Sequence, residues 1–401
     1  MLARVALAAI FAVAPAAHTR VVSADPVDHT PHVLDGIVNA IALVGGTVVV
    51  GGSFSAVADT ARTTTYRRSN LFAFDLATGK ILTDFAPEVR GTVHGLAAGD
   101  GGTVYVGGDF YAVDRARTRS LARLTLATGR PVPAFAPRVT GGAVTTLARQ
   151  GADLYAGGDF SGPRTALARL DATTGAPDPG FTITPGAPLT PKVKVHALAA
   201  TTGRLVVDGN FATLDGQPRP QLGLVDISRR KATLAPWRTD AYAPRCMDTF
   251  PSYVRGLDFA PDGRYFVVVT TGGPRPGMCD TAARFETSAT GRNVRPTWIN
   301  RTGGDSLYAV SVTGSAVYVG GHQRWLDNPM GRDSAGPGAV PREGIGAIHP
   351  RTGKALSWNP GRERGIGIKA FLAHGSGLLV GSDTTRLGRE YHARIGMFPL
   401  P

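Results

Sequence analysis

Short apolar runs separated by Gly, Pro, Asp and Thr fill the chain from residue 33 to residue 398. Some are continuous, as in Val48-Val49-Val50, and others mix apolar with polar or small residues, as in Val93-His94-Gly95-Leu96. Runs of about four to eight residues bounded by turn formers suit strands and are too short for packed helices. The pattern predicts an all-β chain.

The runs recur as one unit. Val48-Val49-Val50-Gly51-Gly52-Ser53-Phe54 returns as Val104-Tyr105-Val106-Gly107-Gly108-Asp109-Phe110, as Leu154-Tyr155-Ala156-Gly157-Gly158-Asp159-Phe160 and as Leu205-Val206-Val207-Asp208-Gly209-Asn210-Phe211. Weaker copies at Val267 to Gly273, Val317 to His322 and Leu378 to Asp383 bring the count to seven. Upstream lies a short strand of the form V-x-x-L, as in Val93 to Leu96, Val144 to Leu147, Val195 to Leu198 and Val254 to Leu257. Downstream lies a third strand ending in a turn, such as Leu71 to Gly79, and then a segment with aromatic and Pro residues, such as Phe85-Ala86-Pro87 or Trp237. Four short antiparallel strands per unit, repeated seven times, predict a seven-bladed β-propeller. The blades begin near residues 38, 93, 144, 195, 254, 307 and 368, within a single domain over residues 25–401. The last unit stops at Pro401 without a fourth strand, while Pro31 to Val38 matches the inter-blade stretch Pro87 to Val93. Lending an N-terminal strand to the seventh blade would close the ring and remove an exposed edge.

The unit V-x-V-G-G-D-F, a loop with Arg, L-A-R-L-D-x-x-T-G and P-x-x-F-x-P resembles the delta-60 (DUF5122-type) β-propeller repeats of secreted bacterial proteins. The loop Phe211 to Arg219 is close to that family's form. The resemblance covers residues 31 to 398 and is strongest in the first four units. It implies a propeller fold and an extracellular setting, and no defined reaction. Asp75 to Lys80, D-x-x-T-G-K, is also similar to repeats of quinoprotein propellers.

Composition agrees with a turn-rich β chain. Gly and Pro number 52 and 29 of 401 residues, while 43% of residues are apolar, enough to bury a core. The formal charge is +13, and only six of the 43 basic residues are Lys. A surplus of guanidinium groups suits oxyanion partners. The Arg residues are nevertheless spread along the chain, as internal pairing would also require.

Residues 1–24 read as a secretory signal. Arg4 precedes the apolar stretch Val5 to Ala14, and small-residue cleavage sites follow at Ala14-Pro15-Ala16 and Val22-Ser23-Ala24. The apolar stretch is too short to cross a bilayer, and no later one approaches that length. A secreted monomer is expected. Its two cysteines, Cys246 and Cys279, suit a disulfide in an oxidising compartment.

Several polar series run through the repeats. Arg68, Arg164, Arg219, Arg342 and Arg389 precede third strands, with Arg117 and Arg119 nearby in the second unit. Ser53, Asp109, Asp159, Asn210 and His322 end second strands. Both series border the same loops, so the arginines are expected to staple them by bonding carboxylates or carbonyls. In the fifth unit Cys279 takes the Arg position and Cys246 lies in an enlarged connection, so a disulfide is expected to replace the staple.

The second residue of each first strand is polar or amphipathic: Asn39, His94, Thr145, His196, Arg255, Tyr308 and Lys369. Placed at strand entry, these seven would ring the mouth of the central channel and offer a floor to an anionic or polyhydroxyl ligand. Long loops at residues 57–68, 238–253 and 322–342 supply further candidates, Arg324, Trp325, Tyr242 and Arg245, whose aromatic and Arg groups suit sugar faces or protein hot spots.

No HExxH, GxSxG, P-loop or dinucleotide fingerprint occurs, and the nine His lack metal-ligand spacing. Neither a metal nor a cofactor is expected, and catalytic residues are not assignable. No specific nucleic-acid binding is expected. Two readings stand: a binding module for an extracellular glycan, anionic polymer or protein, or a propeller enzyme, quinoprotein-like or glycan-acting, with its site over the channel.

Overall fold

The computed structural model describes residues 18–401, so most of the predicted signal, residues 1–17, lies outside the described part. Apart from turns, every regular element among the described residues is a β-strand. No described helix is long and apolar enough to cross a membrane.

Among the described residues, seven sheets of one strand order follow one another along the chain, and five smaller sheets of two or three strands lie in the loops. Sheet 1 pairs Ile37–Val44 with Thr47–Ser53 and that with Leu71–Asp75. Sheets 2 to 7 repeat this antiparallel order, with first strands Val93–Ala98, Val144–Gln150, Val195–Ala200, Val254–Phe259, Leu307–Val312 and Ala370–His374. Each first strand lies beside the first strand of the next sheet, and Ala370–His374 of sheet 7 lies beside Ile37–Val44 of sheet 1.

The sequence patterns follow from this stacking. A second strand such as Thr103–Gly108 is buried along its whole length, because neighbouring sheets cover both faces, and so it reads as continuously apolar. The first strand Val93–Ala98 alternates between buried and half-buried positions.

The Gly-Gly pairs belong to this packing more than to turns. A Cβ on Gly107 would sit 2.7 Å from Cγ1 of Val144, on the first strand of the next sheet, and one on Gly381 would sit 2.5 Å from Cγ1 of Val38. The second strands therefore need Gly for close approach.

The expected fourth strand forms a ladder only in sheets 4 and 5, a short one at Thr233–Leu234 and a longer one at Trp298–Arg301. In sheets 1, 2, 3 and 6 it shrinks to one bridge, at Ile81, Pro131, Pro177 or Ala355. Pro131 and Pro177 lack the N–H that a longer ladder requires.

The outer strand of sheet 7, Ile395–Pro399, accepts hydrogen bonds from residues far upstream: Ser23 N to Pro399 O at 2.7 Å and Val27 N to Met397 O at 2.9 Å. This edge is met by residues 23–27, upstream of the expected Pro31 to Val38. His32–Val33 instead pairs with Ala56–Ala58, as the corresponding connection Val89–Arg90 pairs with Ala112–Val113. Residues 18–24 also pack on sheets 6 and 7. Val22 is buried and its N–H donates to the Tyr318 hydroxyl at 3.0 Å, while Trp358 Nε1 donates to Ser23 O at 2.9 Å.

Candidate functional site

Six of the first strands carry the same defect two residues in. Pairing with the second strand skips one residue between Val38 and Ala40, Val93 and Gly95, Val144 and Thr146, Val195 and Ala197, Val254 and Gly256, and Leu307 and Ala309. The skipped residues are Asn39, His94, Thr145, His196, Arg255 and Tyr308. A β-bulge leaves its extra residue unpaired and re-aims the side chain. In sheet 7 the strand pairing begins at Ala370, directly after Lys369. All seven side chains line one cavity of about 250 Å³.

Two members are tied into the scaffold. Asn39 Nδ2 donates to Val93 O at 3.1 Å, and Thr145 Oγ1 donates to Val195 O at 2.7 Å. Each bond reaches the first strand of the next sheet and fixes the spacing between sheets. The other five members carry the titratable and aromatic groups.

Arg255 and Lys369 supply the positive charge of that half of the ring. Arg255 is held by its own backbone, donating to Val254 O at 2.7 Å and Ser252 O at 3.0 Å, and burial lowers its pKa. The Lys369 ammonium lies 3.4 Å from the centre of the Tyr308 ring, a cation–π contact. Burial pulls its pKa down to about 8, against the attraction of Asp383. Burial also holds the His196 pKa down at about 3, assisted by Arg255 and Lys194, so this imidazole is neutral at pH 7. His94 is lowered too by burial, although its Nε2 lies 3.7 Å from Asp109 Oδ2. No described Asp or Glu lines the cavity.

Behind this arc sits a residue that breaks the repeat. Asp208 occupies the place of the first Gly of the Gly-Gly pair and is fully buried. Burial raises its pKa to about 8, and its Oδ2 has no hydrogen-bond partner. Protonated, it leaves the nearby Arg255 charge largely uncompensated.

A second cavity, of about 360 Å³, shares His196 and Arg255 with the channel and opens toward the loops. Lys192, Lys194 and Asp159 line it, with Phe250, which is 56% exposed, at its wall. Lys192 Nζ is engaged with Gly141 O at 2.7 Å and Asp159 at 3.4 Å, whereas Lys194 makes no side-chain bond among the described residues. Sequence reasoning missed Asp208, Lys194 and Phe250. Asp208 was visible as the one non-Gly residue at its position in the four strong copies.

The loop arginines divide. Arg68, Arg219 and Arg342 are buried and donate to fourth-segment carbonyls, Thr83 O at 3.5 Å, Ala235 O at 3.3 Å and Leu356 O. Arg164 is half-buried and makes no side-chain hydrogen bond among the described residues. Arg389 is exposed on the hairpin Arg386–Tyr391, and the place three residues before Ile395 belongs to buried His392. The polar residues ending second strands do not bond these arginines. Asp109, Asp159 and Asn210 accept the N–H groups of Thr92, Ala143 and Lys194, clasping the connection into their own sheet. Cys246 and Cys279 form a disulfide with Cα atoms 5.7 Å apart.

Of the loop candidates, Tyr242 is a core residue, fully buried against Tyr253 and Phe285, because the long loop folds back onto sheet 5. Arg324 forks onto buried Asp305 at 2.9 and 3.1 Å and lies over Trp325, so its half-buried charge is already paired. Trp325 is half-buried, and Arg245 is exposed beside Cys246.

Residues 154–181 match the family model described as a domain of unknown function (DUF5122) beta-propeller. No curated protein sequence matches the chain. Among solved structures, the computationally designed Ika8 protein is similar at 14% identity and a TM-score of 0.52, covering 97% of this chain and 99% of that one. The WD40 repeats of RRP9 are similar at 13% and 0.54, covering 94% and 99%. The extracellular domain of BT4673 from B. thetaiotaomicron is similar at 13% and 0.53, covering 94% of this chain and 40% of that one. The fold is a β-propeller, and the matched repeat together with these neighbours fits a DUF5122-type propeller.

Proposed function

We propose that the chain is a secreted seven-bladed β-propeller that binds an extracellular ligand on its loop face, with an anionic group of that ligand seated at the channel mouth. In this reading the seven sheets are the blades. The N-terminal segment around residues 23–27 completes blade 7, and the stacking of Gly381 on Val38 joins the ends of the ring. Export is supported by the Cys246–Cys279 disulfide and by the signal-like sequence of residues 1–24. Of the two cleavage sites, the one after Ala16 leaves the packed residues 18–24 in place.

One observation carries the binding reading: Arg255 and Lys369 are brought to one cavity that no described carboxylate lines, and Lys194 lies in the adjoining cavity, whose one carboxylate, Asp159, is already paired with Lys192. Buried charge without a counter-charge is unfavourable, and a ligand oxyanion supplies the missing partner. Phe250 beside the cations suits the C–H face of a sugar, which favours an acidic sugar residue. Calorimetry with galacturonate and with its neutral analogue galactose tests this. The wild type is expected to bind the acid alone, and Lys369→Met and Lys194→Gln to weaken it. Equal binding of both sugars, or no effect of either variant, overturns the reading.

A further inference from the structure

In three sheets the arginine before the third strand is consumed inside the fold. Arg68, Arg219 and Arg342 each lie in a slot between their loop and the fourth segment, donating to the carbonyl of Thr83, Ala235 or Leu356. Each acceptor stands two residues before that segment's aromatic residue, Phe85, Trp237 or Trp358.

Sheet 2 has the slot without its occupant. The residue three before Leu121 is Thr118, whose short side chain cannot span the slot, and the carbonyl two before Phe135 belongs to Pro133. Pro133 O accepts no hydrogen bond among the described residues. Thr118, Pro133 and Phe135 instead line an open groove of about 950 Å³, together with Arg115, Arg117, Arg119 and Arg130. All four guanidinium groups are exposed, and none has a side-chain hydrogen bond or ion pair among the described residues. The one carboxylate in the lining, Asp114, is engaged by the Glu88 N–H at 2.8 Å. No residue of the channel cavity lines this groove.

We propose that this vacated slot is a separate binding site for an anionic polysaccharide carrying sulfate or uronate groups. The guanidinium forks bind oxyanions bidentately, and four like charges in one groove repel one another until an anion enters. A sugar hydroxyl donates to Pro133 O, replacing the guanidinium N–H found in sheets 1, 4 and 6. Pro131, Pro133 and Phe135 give the apolar wall for the sugar ring. A polyanion without hydroxyl donors satisfies the arginines and leaves the carbonyl unmet.

The test is calorimetric titration of the full chain with a chondroitin sulfate hexasaccharide at low and high salt, with polyphosphate and a DNA oligonucleotide as comparisons. The hexasaccharide is expected to bind, more weakly at high salt. The triple variant Arg117→Ala, Arg119→Ala, Arg130→Ala is expected to lose roughly tenfold or more in affinity. The decisive variant is Thr118→Arg, which restores the repeat's own staple. It adds a positive charge yet is expected to lose binding, with an unchanged or higher melting temperature. Equal or tighter binding by Thr118→Arg overturns the proposal, because bare charge then explains the affinity. Polyphosphate or DNA binding as tightly as the sugar, loss of hexasaccharide binding in Lys194→Gln instead, or no binding at low salt overturns it as well.

Discussion

The carboxyl of Asp208 accepts the Ala197 N–H at 2.8 Å, directly behind the bulge that presents His196 to the channel. The two titratable neighbours respond to pH in opposite senses. Asp208 has a folded pKa of about 8 against an unfolded value near 3.8, so between these limits the folded state holds a proton the unfolded state has released. Its contribution to stability is lost as pH rises through that window. Asp208→Asn is expected to raise the urea midpoint over wild type at pH 8, with the difference vanishing near pH 4. A constant difference at both pH values would refute this assignment.

His196 acts on the acid side. Its folded pKa of about 3 lies below the unfolded 6.5, so the unfolded state binds the extra proton and stability falls as pH drops between those values. His196→Gln removes that part of the acid sensitivity, visible as a shallower decline of the melting temperature from pH 6.5 to pH 4.

In the proposed site, Lys369 is expected to set the alkaline limit of anion binding. Its ammonium is charged below about pH 8 and neutral above it. Affinity for galacturonate is expected to fall between pH 7 and pH 9, and in Lys369→Met to be lower and flat over that range. An unchanged pH profile in the variant would remove Lys369 from the site.

Gly107 is the residue on which sheet 3 closes over sheet 2. Its missing Cβ would meet Val144 Cγ1 at 2.7 Å. Gly107→Ala is expected to destabilise by about 1–3 kcal/mol through overpacking, read from urea denaturation. The double variant with Val144→Ala is expected to recover part of that loss.

The N-terminal segment is a further lever on stability. A chain starting at His18 keeps the bonds from Val22 to Tyr318 and from Trp358 to Ser23; one starting at Asp25 loses both and uncovers part of the Trp358, Tyr318 and Phe398 cluster. The shorter chain is expected to melt several degrees lower. Edman sequencing of exported protein is expected to show cleavage after Ala16.

The repeat made the β architecture and the seven cavity positions legible, because polar residues at the second place of each V-x-x-L strand stand out against apolar neighbours. The bulges left a mark that went unread: Val93 and Leu96 both face Gly51 of the preceding sheet although they stand three apart, an odd spacing that a regular strand puts on opposite faces. Tyr242 was misread because a long loop carries no sequence mark of whether it folds back on its blade. Arg389 was displaced from its expected place by a hairpin that lengthens the last loop, which brought His392 to the buried position. The Arg surplus resolved into separate populations: Arg219 and Arg342 bound inside the fold, Arg324 paired with Asp305, and the free group around Thr118.

Because six of the seven channel side chains ride on residues that stand outside the strand pairing, exchanging one leaves the backbone ladder of its sheet untouched. If the channel mouth is the proposed binding site, ligand preference can change through single substitutions there, while the packing that depends on Gly107 and Gly381 holds the frame constant. Asn39 and Thr145 are the exceptions, since their side chains tie neighbouring sheets together; at the other bulged positions a substitution changes what the channel mouth presents without touching the strand pairing.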